Sequence, residues 1–304
     1  MFRYAFAFAL AVALCAAPVS AATLAPTGLL SGFSTIVLGD LDARAETEGN
    51  VFVGGTYSGG ASVNPDAEPE VDFGGGLSGS FFAGAIGENV GGANVLNGDA
   101  VIGGAVPRSS RIAANNGTVR ENVAGLAATA ADVAETFEAL TGMLQGLAAT
   151  GGVAETADQN RVRFESVAGA DGLAVFDIDG EVLRSGTFLG VAADPGVTTV
   201  FNVRGTDVTV GINANVTDSR VLFNFHEAER LTVNSTFNYS ILAAGADVTL
   251  QGGGVFGTVV AGRLRQFAEI RPESFSGRVP APVPLPASGL MLLSALAVLA
   301  LRRR

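Results

Sequence analysis

His226, in the run "FNFHEAE", is the single histidine of this 304-residue chain. An imidazole beside a carboxylate has the parts of a general base, because it titrates near neutral pH. Nothing in the sequence pairs it with a nucleophile, so the residue reads as the polar corner at a strand end. The densest acidic group is Asp40, Asp42, Glu46 and Glu48 in "DLDARAETEGN". Calcium needs clustered oxygens at fixed spacing, and this stretch follows neither the EF-hand nor the nonapeptide pattern, so it reads as a solvated loop. One histidine cannot supply a histidine-based zinc site. Glycine clusters such as "GGGLSG" lie between short strand-like runs and do not open a helix, as a phosphate cradle would. Paired carboxylates on one sheet face are the remaining route to catalysis, cleaving a polysaccharide, but no spacing singles out a pair. The expected inventory is therefore no catalytic residue, no cofactor and no metal.

Composition narrows the function further. All 18 basic residues are arginine and the formal charge is −11; without the four arginines Arg3 and Arg302 to Arg304 it becomes −15. An acidic chain with no basic cluster argues against nucleic acid as a partner. The absence of lysine excludes Schiff-base chemistry and lysine–asparagine isopeptide bonds. Tryptophan is absent too, leaving Tyr57 and Tyr239 as partial substitutes for a sugar-stacking platform. With 48% hydrophobic residues the chain is too apolar to be disordered, despite 41 glycines.

Both ends read as addresses. Residues 1–22 have an early charge (Arg3), an apolar run from Ala5 to Ala17, and small residues Ser20, Ala21 and Ala22, the layout of a secretory signal peptide. Cys15, the only cysteine, leaves with it, and Leu14 before it argues against lipidation. At the other end, Val283, Pro284, Leu285, Pro286 and Ala287 precede a greasy run from Leu290 to Leu301 and then Arg302, Arg303 and Arg304. That run covers about 18 Å as a helix, short of a hydrocarbon core near 30 Å thick. The expectation is transient membrane contact by a tail that is removed on anchoring, the arginines holding it on the cytoplasmic side.

Between these ends, residues 23–279 read as one domain, followed by a linker and sorting signal over 280–304. "FSTIVLGDL", "GNVFVGGTY" and "GDAVIGGAV" each place a short β-branched or aromatic run before glycine, the pattern of faces and corners in a solenoid; a β-sandwich would also use short strands. "NPDAEPEVDFGGG" looks like a loop thrown out of one rung. A helix is expected over about 119–149, opened by Thr118 and Glu121 at capping-box spacing. Its single stripe, Val119, Val123, Leu126, Ala130, Val133, Phe137, Leu140, Leu144 and Leu147, suits a rod along a solenoid wall, with a coiled-coil partner as the competing reading. Beyond it, Val208, Val210, Ile212, Ala214 and Val216 alternate inward. Phe201, Phe223, Phe225, Phe237 and Phe256 are expected to stack as an aromatic ladder. The expected fold is all-β with one long helix, a right-handed parallel β-solenoid with the helix packed along one wall.

"FSTIVLGDLDARAETEGNVFVGG", "VLFNFHEAERLTV" and "SILAAGADVTLQGGGVFGTVVAGRL" resemble, in that order, the choice-of-anchor A domain of bacterial surface and secreted proteins. "VPLPASG" with the greasy run and arginines resembles the VPLPA variant of the PEP-CTERM sorting signal. That resemblance implies an exosortase-type processing enzyme as partner, in a Gram-negative bacterium. The architecture is also similar to ice-binding-like β-solenoids, but Thr206, Thr209, Thr232 and Thr236 are scattered and form no Thr-x-Thr ladder in the sequence. The implied function is a non-catalytic cell-surface or extracellular-matrix protein, adhesive or structural, with a polysaccharide or matrix protein as its extracellular ligand. A polysaccharide-active enzyme using paired carboxylates and an ice-binding-like surface protein are the alternatives.

Overall fold

Two kinds of apolar run distinguish two stacks within one large sheet. A parallel strand buried on both faces reads as a continuous apolar run, and a strand with one wet face alternates. The computed structural model describes residues 24–150, 152–154, 161–184, 188–193, 196–212 and 217–281. The expected signal peptide over residues 1–22, the expected sorting-signal residues Val283 to Ala287 and Arg302 to Arg304, and Ala214 and Val216 lie outside them.

The continuous runs form a first stack of parallel strands. Its order is Val119–Arg120, Ala100–Ile102, Phe81–Ile86, Val51–Gly59, Thr35–Val37, Val259–Gln266, Ser240–Leu250, Val221–Asn224, Thr198–Arg204 and Leu173–Asp179. One set of side chains from this stack, including Val37, Val53, Phe81, Ile102, Phe201 and Phe223, points into the main core. The opposite set, including Ile36, Phe52, Phe82, Val101, Leu242 and Val260, packs under two helices. The alternating runs form a second stack beyond the corner, and short strands such as Ser62–Val63, Ala93–Val95 and Ile112–Ala114 a third. Glycines at the first corner are needed for close approach between rungs: a Cβ on Gly84 would collide with the carbonyl oxygen of Gly54, and one on Gly103 with that of Gly84.

The strand order differs from a coil wound end to end. The first strand, Thr35–Val37, lies mid-stack, between Val51–Gly59 and the late strand Val259–Gln266. These last two are long enough to turn the corner and pair there with Leu41–Ala43 as well. Thr35–Val37, Val51–Gly59, Leu41–Ala43 and Val259–Gln266 thus make a small closed ring of pairings. The observed architecture is mostly β, with parallel strands and one long helix; Arg161–Ser166, Phe188–Ala193 and the antiparallel Gly152–Ala154 add a separate small sheet.

Helix α1 (Pro26–Gly32), not expected from the sequence, buries Leu29 and Leu30. Helix α2 runs Leu126–Gln145, so the expected 119–149 is too long at both ends. Val119–Arg120 pairs instead as a strand with Ala100–Val101. The expected capping box is not formed. Thr118 donates through both N–H and hydroxyl to Asp99 Oδ1 (2.8 and 3.0 Å), and Glu121 accepts from the Val106 N–H (2.7 Å). Gly125, at φ 91°, is the N-cap instead. The stripe is correct over the helix proper: Leu126, Val133, Phe137, Leu140 and Leu144 are buried against the first stack. In register on the strands beneath, the outward column runs Ile36, Val260, Leu242, Asn224, Asn202 and Asp177. It turns polar where the helix ends. Asn202 and Asn224 donate to the carbonyls of Leu144 (2.8 Å) and Thr141 (3.1 Å), and Asn224 also to Asn202 Oδ1 (2.9 Å).

Of the expected aromatic ladder, Phe201 and Phe223 stack at 4.4 Å with Phe176 behind them at 4.9 Å, and Phe225 and Phe237 are buried nearby. Phe256 is outside it, half-buried under the Arg271 guanidinium. The 64–76 segment does leave its rung, but Phe73 folds back onto Phe33, Phe52 and Phe82.

Candidate functional site

The second stack has one wet face, and its outward side chains form a grid. Its rungs are Asp207–Val210, Arg230–Val233, the segment 247–250, the segment 263–266, Leu41–Ala43 and the segment 57–59. Val208, Leu231, Val248, Leu264, Leu41 and Tyr57 point in. Because strands alternate and parallel rungs lie about 4.8 Å apart, each inward residue is flanked by outward ones in columns. One column reads Asp207, Arg230, Asp247 and Arg263, and the chain continues it at Asp40. The next reads Thr209, Thr232, Thr249, Arg265, Asp42 and Ser58.

The charges in the first column are paired. Arg230 meets Asp207 at 2.8 Å and Arg263 meets Asp247 at 2.6 Å. These hydrogen bonds hold both guanidiniums above their ordinary pKa. Asp40 accepts from the Thr56 N–H (2.7 Å), and Asp42 pairs with Arg44 (3.1 Å). Exposed pairs of this kind contribute little to stability. What they fix is the position of charge across a cleft of about 290 Å³ bounded by Asp40, Asp42, Ser58, Thr232, Thr249 and Arg265. Arg265 is exposed and has no ion-pair partner among the described residues. Two residues further along the same strand direction, Phe267 is half exposed, with the Arg44 guanidinium 5.9 Å from its ring centre.

Other sequence candidates fall elsewhere. His226 is half-buried at the turn between the first and second stacks; Glu227 beside it accepts from the Gly205 N–H (3.0 Å). The acids of the 40–48 stretch diverge. Asp40 and Asp42 face the cleft, whereas Glu48 lies round the next corner, 3.7 Å from Arg271. Burial raises the Glu48 pKa, against the opposing pull of Arg271. Among the described residues no three His, Cys, Asp or Glu side chains form a metal-binding group. Tyr57 and Tyr239 cannot serve as sugar platforms: both are fully buried. The threonine reading also changes. Thr209 and Thr232 align with Thr249, three deep and in register, while Thr206 and Thr236 lie off the column. Thr249, Arg265 and Phe267 escaped the sequence reading, although the period-two run "RLRQF" carried the signal for two of them.

Fold and face together give a parallel β scaffold: the first stack is covered by the helices on one side and by the main core on the other, and the second stack, round the corner, carries an ordered polar surface. The chain belongs to the family described as "Putative Ice-binding-like adhesive domain", whose model matches residues 26–272. Among solved structures, a glycosylated ice-binding protein from an Arctic yeast aligns at 14% identity, over 85% of this chain and 96% of that one, with a TM-score of 0.31. No curated protein matches the chain.

Proposed function

We propose that this chain is an exported, non-catalytic adhesive or matrix domain of the choice-of-anchor A kind, with the second stack as its binding face. Family membership over residues 26–272 is the observation that carries the adhesive part of this reading; the choice-of-anchor A part rests on the sequence resemblance. The reading agrees with a cleft whose acids hold arginines or a backbone N–H. In this reading the three stacks are successive faces of one right-handed β-solenoid. Residues 1–22 direct export, and Val283 to Ala287 with Arg302 to Arg304 form a PEP-CTERM-type signal for an exosortase-type enzyme at a Gram-negative cell surface. An ice-binding role is disfavoured, because the threonine column is flanked by charges and ends at Arg265.

Two measurements test it. C-terminal peptide mass spectrometry of the cell-associated protein should find ends before Leu290, and recovery of intact "LALRRR" ends would remove the sorting proposal. Prolonged incubation with polysaccharide and peptide pools should yield no new ends; product dependent on Asp40, Asp42 or His226 would overturn the non-catalytic reading.

A further inference from the structure

We infer that the cleft on the second stack binds a carboxylated polysaccharide, a polyuronate, with Arg265 as its carboxylate clamp and Phe267 as the surface on which a sugar ring lies. This rests on the adhesive reading above and names its ligand. Arg230, Arg263 and Arg44 each hold an aspartate at 2.6–3.1 Å. Arg265 alone in the cleft is left with its fork of N–H donors unspent, and a guanidinium matches the planar, two-oxygen geometry of a carboxylate. Its register neighbours are Thr249 on one side and Asp42 on the other, and Asp42 is already neutralised by Arg44.

Phe267 is the one aromatic among the exposed large apolar residues described. It lies about 7 Å from Arg265 along the chain, the separation of alternate residues in an extended strand. That is the scale on which a pyranose ring and its exocyclic carboxylate are displayed together. The hydroxyls of Thr232, Thr249 and Ser58 and the carboxylates of Asp40 and Asp42 line the cleft with Arg265, two residues from Phe267, and suit the donors and acceptors of sugar hydroxyls.

Charge favours a ligand with one anionic group per sugar. The face carries Arg44, Arg230, Arg263 and Arg265 against Asp40, Asp42, Asp207 and Asp247, so it is balanced. A densely charged chain such as a nucleic acid or a heavily sulfated glycan would find a single free guanidinium, with three arginines already paired and the carboxylate of Asp40 in the same cleft.

The test is titration calorimetry of the purified full chain with polygalacturonate oligosaccharides, the same oligosaccharides carboxyl-reduced to neutral sugars, and heparin fragments. The acid form should bind at least about tenfold more tightly than the reduced form, and more tightly than heparin. Arg265→Gln should abolish the preference for acid over reduced ligand at an unchanged melting temperature, and Arg265→Lys should restore it only in part. Phe267→Ala should weaken acid and reduced ligands by the same factor. Equal binding of acid and reduced forms, or full preference in Arg265→Gln, would overturn the inference. So would tighter binding of heparin. If the chain binds no polyuronate yet captures a neutral glycan or a matrix protein on an array, the inference fails and the adhesive reading stands; if it captures nothing, that reading fails as well.

Discussion

Tyr57 and Tyr239 are the only side chains of residues 24–281 whose ordinary pKa falls between about 8 and 12, since the domain has no lysine and Cys15 precedes it. Both phenols are fully buried, Tyr57 edge-on to Phe81 at 5.0 Å. Burial pushes the Tyr57 pKa from 10.0 up to about 12, with the Ala61 backbone opposing and Asp42 adding a little. Burial likewise raises Tyr239, with Asp218 adding to it. A phenol whose pKa is raised by folding leaves stability untouched below pH 10. Above that the unfolded chain ionises and the native one does not, so stability falls until the folded pKa is reached. Each tyrosine should therefore remove about 2 kcal/mol by pH 11.5. Urea melts from pH 8 to 11.5 should show that decline in the parent, about half of it in Tyr57→Phe, and little in the Tyr57→Phe/Tyr239→Phe double variant. An undiminished slope in the double variant would mean that the phenols are not buried as described.

At the scale of elements, α2 is held by two chemistries. Phe137 and Leu140 are fully buried over the first stack, so Phe137→Asp or Leu140→Asp should cost several kcal/mol and lower the melting temperature by roughly 10 °C. Asn224→Ala strands one helix carbonyl and one amide, a smaller loss of about 1–3 kcal/mol. Parent-like melts in all three would mean that the helix does not dock there. The apolar half of this contact was legible, because a stripe repeating at helical period has few other uses. The helix ends were not: Thr118 and Glu121 have the spacing of a capping box, yet their side chains are spent on Asp99 and Val106 of the neighbouring rung. Of the second stack, the alternation of Val208, Val210 and Ile212 was legible, and all three are buried; the division into a first and a second stack was not read from the sequence. The column Thr209, Thr232 and Thr249 stayed hidden because unequal lengths of chain separate its members, and register is a property of pairing, not of spacing.

For the whole molecule, the decisive feature is that the chain enters and leaves at the middle of its stack. Thr35–Val37 pairs with the segment 259–261, and the Val279 N–H donates to Thr27 Oγ1 at 3.2 Å, so the two ends of the domain lie side by side. A circular permutant joining residues 24 and 281 by a short Gly/Ser linker and opened between Gly91 and Gly92, where an added Cβ would meet no neighbouring atom, should fold and melt within a few degrees of the parent. Aggregation of that permutant would mean that the natural ends are needed to start the winding. The same layout would govern how the molecule bears load if it is tethered by its C-terminal side, as proposed above. In a coil wound end to end, the rung nearest the tether is an edge, and tension can strip it off one hydrogen bond at a time. Here the last long strand, Val259–Gln266, is flanked on both sides, by Ser240–Leu250 and by Thr35–Val37 with Leu41–Ala43. That strand can leave the stack only by breaking main-chain bonds on both flanks at once, where a terminal rung would break them on one.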